Sequence, residues 1–139
     1  MSQPVRTIAL AASAQEAAGL MSTHGVRHLV VVDKAGHAVG VVSDRDLRAA
    51  QPSVLLLTDV AMRDKALSLI RVGDVMAKHP HTAHPQQSVH TALGTMLRHR
   101  VGCLPVVSTD EQLVGIVTGG DVAKLALSLL DAVESSDER

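Results

Sequence analysis

Apolar positions along this chain follow two rhythms, and each rhythm occurs twice. After Ser13 they fall at Ala14, Ala17, Ala18 and Met21, and after Ser88 at Val89, Ala92, Leu93 and Met96. That i, i+3, i+4, i+7 spacing marks one face of a helix. Each serine stands where a side-chain oxygen can cap the first turn. The rhythm then becomes that of strands: 29-LVVV-32 and 38-AVGVV-42 flank the turn DKAG, and 104-LPVV-107 and 113-LVGIV-117 flank STDE. Both pairs predict a β-hairpin. A short extended segment precedes each helix, around Thr7 and Thr82, and a second helix follows each hairpin. The predicted order is β-α-β-β-α, twice.

The two copies align without a gap. Residues 7–47 laid on 82–122, a shift of 75, match at fourteen positions, among them Thr7, Met21, Leu29, Gly40 and Asp46. Chance would supply about three. A unit of this size cannot bury its own apolar face, so a duplicated supersecondary unit is expected to pack as one body. The expected fold class is α/β (α+β): two β-α-β-β-α repeats about a pseudo-twofold axis, each a small three-stranded sheet with helices on one side. The first repeat is expected at 1–50, a helical linker at 51–71, the second repeat at 72–130 and a flexible tail at 131–139. The leucines of 54–71 suit either a subunit contact or core.

Composition narrows the function. A net charge of −1 offers no basic footprint for nucleic acid, and the absence of Phe, Tyr and Trp removes base-stacking platforms. A planar ligand would have to be held by aliphatic side chains. One cysteine, Cys103, excludes an internal disulfide and a cysteine zinc cluster. The apolar run near the start is too short for a secretion signal, and no run approaches the ~20 residues of a membrane span. A soluble cytoplasmic protein is expected.

The most informative stretch is 40-GVVSDRDL-47 beside its counterpart 115-GIVTGGDV-122. Both keep a hydroxyl and a carboxylate three residues apart, Ser43 with Asp46 and Thr118 with Asp121. One reading is a capping-box-like start to a helix. The middles argue for more. Gly119-Gly120 costs about 1 kcal/mol per residue against Ala in a helix, yet leaves backbone N–H groups open to a phosphate. Asp44-Arg45 offers a guanidinium instead. A carboxylate suits a vicinal diol.

With G-h-h-[ST]-x-x-D after a hairpin in two copies, the chain resembles a tandem pair of CBS (cystathionine beta-synthase-type) domains over about 4–128. The resemblance extends to 72-VGDVMAKHPHTAHPQQSVHTAL-93 and 4-PVRTIALAASAQEAA-18. It implies a stand-alone, non-enzymatic regulatory module that binds AMP, ADP, ATP, S-adenosylmethionine or NAD in clefts between its repeats, with no tightly bound cofactor. In the first cleft, it implies that Asp46 holds the ribose, Ser43 contacts ribose or phosphate, and Thr7, Ile8 and Ala9 meet the base through main-chain groups. Arg27 and His28 would line the pocket there, with Asp44 and Arg45 beside them. In the second cleft it implies the same of Asp121, Thr118, and Thr82, Ala83 and His84, with Gly102, Cys103, Leu104 and Pro105 lining and Gly119 and Gly120 beside the phosphates. The family's strand proline is Pro105 here, with Val30 at its counterpart. A disc-like homodimer, an effector protein as listener and energy sensing are implied too. The Arg45 cleft is expected to prefer the more anionic ligand. The alternative is a dimerising adaptor of the same fold that binds no nucleotide.

Other candidates carry blander expectations. His79, His81 and His84 could gather a metal, but Pro80 and Pro85 suit a solvated extended linker. His24 and His99 suit helix C-termini. Cys103 reads as a buried, inert thiol, and Met21 and Met96 as core.

Overall fold

The computed structural model describes residues 5–51 and 60–137. The first repeat contains β1 (Thr7–Ala9), α1 (Ala14–His24), β2 (His28–Val32), β3 (Ala38–Ser43) and α2 (Asp44–Ala50). Then come α3 (Val60–Ser68), α4 (Val72–Val75) and β4 (Ala77–Lys78). The second repeat contains α5 (Val89–His99), β5 (Cys103–Val107), β6 (Leu113–Thr118) and α6 (Gly119–Asp137).

The repeat is exact in register as well as in order. In the first hairpin His28 faces Ser43, Val30 faces Val41 and Val31 faces Gly40. In the second Cys103 faces Thr118, Pro105 faces Ile116 and Val106 faces Gly115. Each of these pairs is the other shifted by 75. Even the irregularity between Val31 and Val32 returns between Val106 and Val107. β1 runs parallel to β2 with Ile8 opposite Val31, and Ala83 forms the corresponding parallel bridge to Val106.

Local chemistry explains the element ends. Ser13 Oγ accepts from Glu16 N–H and Ser88 Oγ from Thr91 N–H, each at 3.1 Å, so both serines are N-caps. Both helices end on a left-handed residue, Gly25 in the first repeat and Arg100 in the second. The hairpin turns repeat that contrast, with Gly36 left-handed in one and Glu111 in the other. Glycine accepts this conformation freely, whereas Arg and Glu are strained by Cβ.

Strand alternation sorts side chains into three cores. Leu29, Val31 and Val42 pack with Ile8, Ala17 and Met21 on the helix side of the first sheet. Leu104 and Val106 pack with Ala92 and Met96 on the helix side of the second. The opposite faces meet: Val30 and Val41 pack against Cys103 and Ile116 between the repeats.

The segment joining the repeats packs onto the first of them. Residues 52–59, with most of the leucine run, lie outside the described residues. From Val60 the linker is helical, and its Leu67 enters the first repeat's core. Val72 enters the same core, and β4 pairs with β3. Structurally, then, residues 72–78 complete the first repeat. Its sheet has four strands in the order β1-β2-β3-β4, whereas the described part of the second has β5-β6 and the bridge at Ala83. Gly40 makes the β4 crossing possible: a Cβ there would collide with Met76 Sδ and stand 2.8 Å from the carbonyl oxygen of Ala77. The tail expected from 131 is instead helical through Asp137, because α6 continues unbroken. No helix among the described residues is long and apolar enough to cross a membrane.

Candidate functional site

Both copies of the hydroxyl–carboxylate motif sit where a strand becomes a helix, and both are caps. Ser43 N–H donates to Asp46 Oδ2 at 2.8 Å while Asp46 N–H donates to Ser43 Oγ at 3.1 Å. In the second repeat Thr118 N–H donates to Asp121 Oδ2 at 2.9 Å, and Asp121 N–H donates to Thr118 Oγ1 at 3.4 Å. Thr118 Oγ1 also donates to Asp121 Oδ2 at 3.2 Å. A capping role does not use up a carboxylate, which offers about four lone-pair sites. The caps hold each acid in a fixed rotamer at a helix N-terminus, where its negative charge is favoured.

The backbone at these termini is less open than the sequence suggests. Asp44 N–H donates to Arg27 O at 3.0 Å, and Gly119 N–H donates to Gly102 O at 3.2 Å. With Asp46 and Asp121 N–H also used, Arg45 and Gly120 carry the remaining first-turn N–H groups. A Cβ on Gly119 would meet nothing within 4 Å, and one on Gly120 only Thr118 Oγ1 at 3.5 Å. The fold itself therefore does not require glycine at either position. Arg45 is exposed. Asp44 is paired with Arg48 at 3.0 Å, one helical turn on.

The remaining residues divide by direction. Thr7, Ala9, Thr82 and His84 are exposed, whereas Ile8 and Ala83, between them, point into their own helix-side cores. Leu104 is fully buried in the second of these cores; its side chain therefore does not line a cleft, and only its main chain could. Cys103 faces the layer between the repeats, and burial pushes its thiol up to about 12, so it is an inert packing group. His84 Nδ1 lies 2.9 Å from Val107 O. A carbonyl can only accept, so Nδ1 carries the proton there.

His28 and Gly102, expected in different clefts, meet across the repeats: a Cβ on Gly102 would stand 2.9 Å from His28 Nε2. Burial holds the His28 imidazole below its ordinary range, against the opposing pull of Asp46 and Asp44, with Arg27 adding to the lowering. The repeat pattern does not reveal this contact, because the two residues are not counterparts at the 75-residue shift. A cavity of about 660 Å³ between the repeats sets Thr7, expected in the first cleft, and Val5 against Gln112, Leu113 and Val114, which sequence reasoning did not name. Arg27 and Asp44 line a different recess, on the outer side between α1 and α2.

The histidines do not form a metal centre: among the described residues no group of three or more potential ligands gathers. His81 instead stacks on His99, ring centroids 3.7 Å apart and planes 15° from parallel. Desolvation, then His81 and Arg98, lower the pKa of His99.

The family model described as CBS domain matches residues 1–53 and 72–128. A CBS domain-containing protein of Dictyostelium discoideum is 32% identical over 96% of this chain and 92% of its own. The solved structure of CBSX2 in complex with AMP, an Arabidopsis thaliana protein, superimposes with a TM-score of 0.71 at 30% identity, covering 91% of this chain and 90% of that one. The CBS domain pair of protein MJ0100, in complex with 5′-methylthioadenosine and S-adenosyl-L-methionine, gives 0.74 at 26% identity, covering 92% of each chain. A homoserine O-acetyltransferase of Methanococcoides burtonii is 33% identical over 90% of this chain, which spans 23% of that protein.

Proposed function

The chain belongs to the CBS domain family, and from that premise we propose that it is a regulatory module binding an adenosine-containing ligand between its repeats. Asp46 and Asp121 hold the ribose hydroxyls, Ser43 and Thr118 contact ribose or phosphate, and the strand segments at 7–9 and 82–84 meet the base. Arg45 serves phosphate in the first cleft, and Gly119-Gly120 allow its close approach in the second. Occupancy shifts an equilibrium between packings of the two repeats to the extent that the ligand prefers one of them. The signal passes to an effector protein in the cytoplasm, from a homodimer. The observation that carries this reading is the register-matched pair of strand ends, each with its acid fixed in a cap and each beginning a helix. Relatives solved with AMP or with S-adenosyl-L-methionine support the ligand class.

The test is thermal unfolding with AMP, ADP, ATP, S-adenosylmethionine and NAD. A ligand at 100 times its Kd should add about 2.7 kcal/mol. Asp46→Asn and Asp121→Asn retain a cap acceptor, so each is compared with its own ligand-free Tm. Loss of the ligand shift in one variant identifies the cleft used. No shift with any of the five in the unmodified protein refutes the reading for those ligands and favours the adaptor alternative.

A further inference from the structure

The first repeat is closed by residues from outside its β-α-β-β-α unit. Leu67 and Val72 are buried in its core, and Ile70 packs beside them. Main-chain bonds anchor this closing segment: Val72 N–H donates to Ala12 O and Ala14 N–H donates to Ile70 O, both at 2.8 Å. Gly73 N–H donates to Leu10 O at 3.1 Å, and Ser13 and Arg71 form an antiparallel bridge.

A shift of 75 turns Leu10 O, Ala12 O and Ala14 N–H into Pro85 O, Gln87 O and Val89 N–H. Among the described residues, none of these three groups bonds to another part of the chain. Backbone groups at such a position normally find partners when covered. Where the first repeat has its closing segment, the second has a groove of about 320 Å³, walled by Ala83, Ala92, Leu93, Val117, Val122 and Leu125. The groove has extra room because Ala83 stands where the first repeat has Ile8, and Val122 where it has Leu47. Apolar surface continues from the rim along α6, which buries none of its residues and exposes Leu129 and Val133 by more than half. Contiguous exposed apolar surface of this kind marks an interaction site.

We propose that this groove docks a segment of another polypeptide with the chemistry of residues 67–72: apolar residues spaced as Leu67, Ile70 and Val72, and a basic residue among them as Arg71 is. The segment bonds to Gln87 O and Val89 N–H as 70–72 bond to Ala12 and Ala14, its apolar side chains fill the groove, and its basic side chain reaches Gln86 O as Arg71 Nη1 reaches Ala11 O at 3.3 Å. The first repeat supplies the precedent, because it holds such a segment on the same backbone atoms. The proposal stands independently of which nucleotide, if any, the clefts hold.

The probe is a synthetic peptide of this chain's own residues 64–76, titrated into the isotopically labelled chain of 139 residues and followed by NMR. Saturable shifts at Val89, Leu93, Val117 and Leu125, with Val89 amide exchange slowed at least about tenfold, are expected. A second peptide with Asp in place of the Ile70 and Val72 residues should leave all four unmoved. No saturation up to about 1 mM, or equal binding of the second peptide, overturns the proposal. Slowing of Val89 exchange with protein concentration alone also overturns it, by assigning the groove to a second copy.

Discussion

The two repeats share a register to the residue and yet are not equally well built. Among the described residues, the first has a helix-side core of ten buried residues, two of them contributed by the linker, whereas the second has five, all its own. Both left-handed positions that glycine fills in the first repeat, Gly25 and Gly36, fall to Arg100 and Glu111 in the second. Duplication thus copied the hydrogen-bonding frame, while packing and backbone ease have diverged. Register is held by strand pairing and caps, while stability is distributed by whatever covers each helix face.

The contrast can be broken most forcefully at the linker. Leu67→Ala should destabilise by about 2–5 kcal/mol in urea unfolding, the usual range for a buried leucine. Leu125→Ala, on the open groove, should cost far less; equal losses would show that the second core is closed after all. Next, Gly40→Ala should cost about 1–3 kcal/mol, because the new methyl drives β4 off β3. In Gly119→Ala the methyl meets open space, so stability should hold or rise. A smaller effect runs the other way: Arg100→Gly should stabilise by up to about 1 kcal/mol, and Gly25→Arg should destabilise by a similar amount. If both changes are neutral, backbone strain does not distinguish the repeats.

The smallest effect is in the pH profile. His28 titrates below its ordinary value near 6.5 when folded, so below that value the unfolded chain binds more protons. The stability that neutral His28 allows is present above about pH 6.5. It is lost as pH falls through the lowered folded value. Its counterpart Cys103 stays protonated up to about 12 and contributes nothing in this range. His28→Leu should flatten the pH 5–7 part of a Tm profile, with Cys103→Ala leaving its shape unchanged.

Much of this was legible in the residues, for a physical reason in each case. Unbroken apolar runs at 29–32 and 104–107 showed the strands, because each buries both faces, one on its own helices and one on the other repeat. Ser13 and Ser88 announced their helices as caps. The pairing of Ser43 with Asp46 was visible because it is local, three residues apart. The linker's part was not: 60–72 has no clear amphipathic period, and β4 is two exposed residues whose pairing depends on the absence of a side chain at Gly40. Nor was the occupation of Asp44 and Gly119 N–H by Arg27 O and Gly102 O, since each bond crosses between chain segments with no side chain to mark it. The His28–Gly102 contact lies between repeats and breaks their symmetry, so no comparison of the two copies could reveal it.

The β4 crossing also bears on synthesis. During translation the first repeat emerges with its hairpin complete by Ser43, but its fourth strand and the plug at Val72 follow some thirty residues later. The nascent chain therefore carries an open apolar face until Lys78 has cleared the ribosome, and the earliest unit able to close is the stretch through β4, not the first repeat alone.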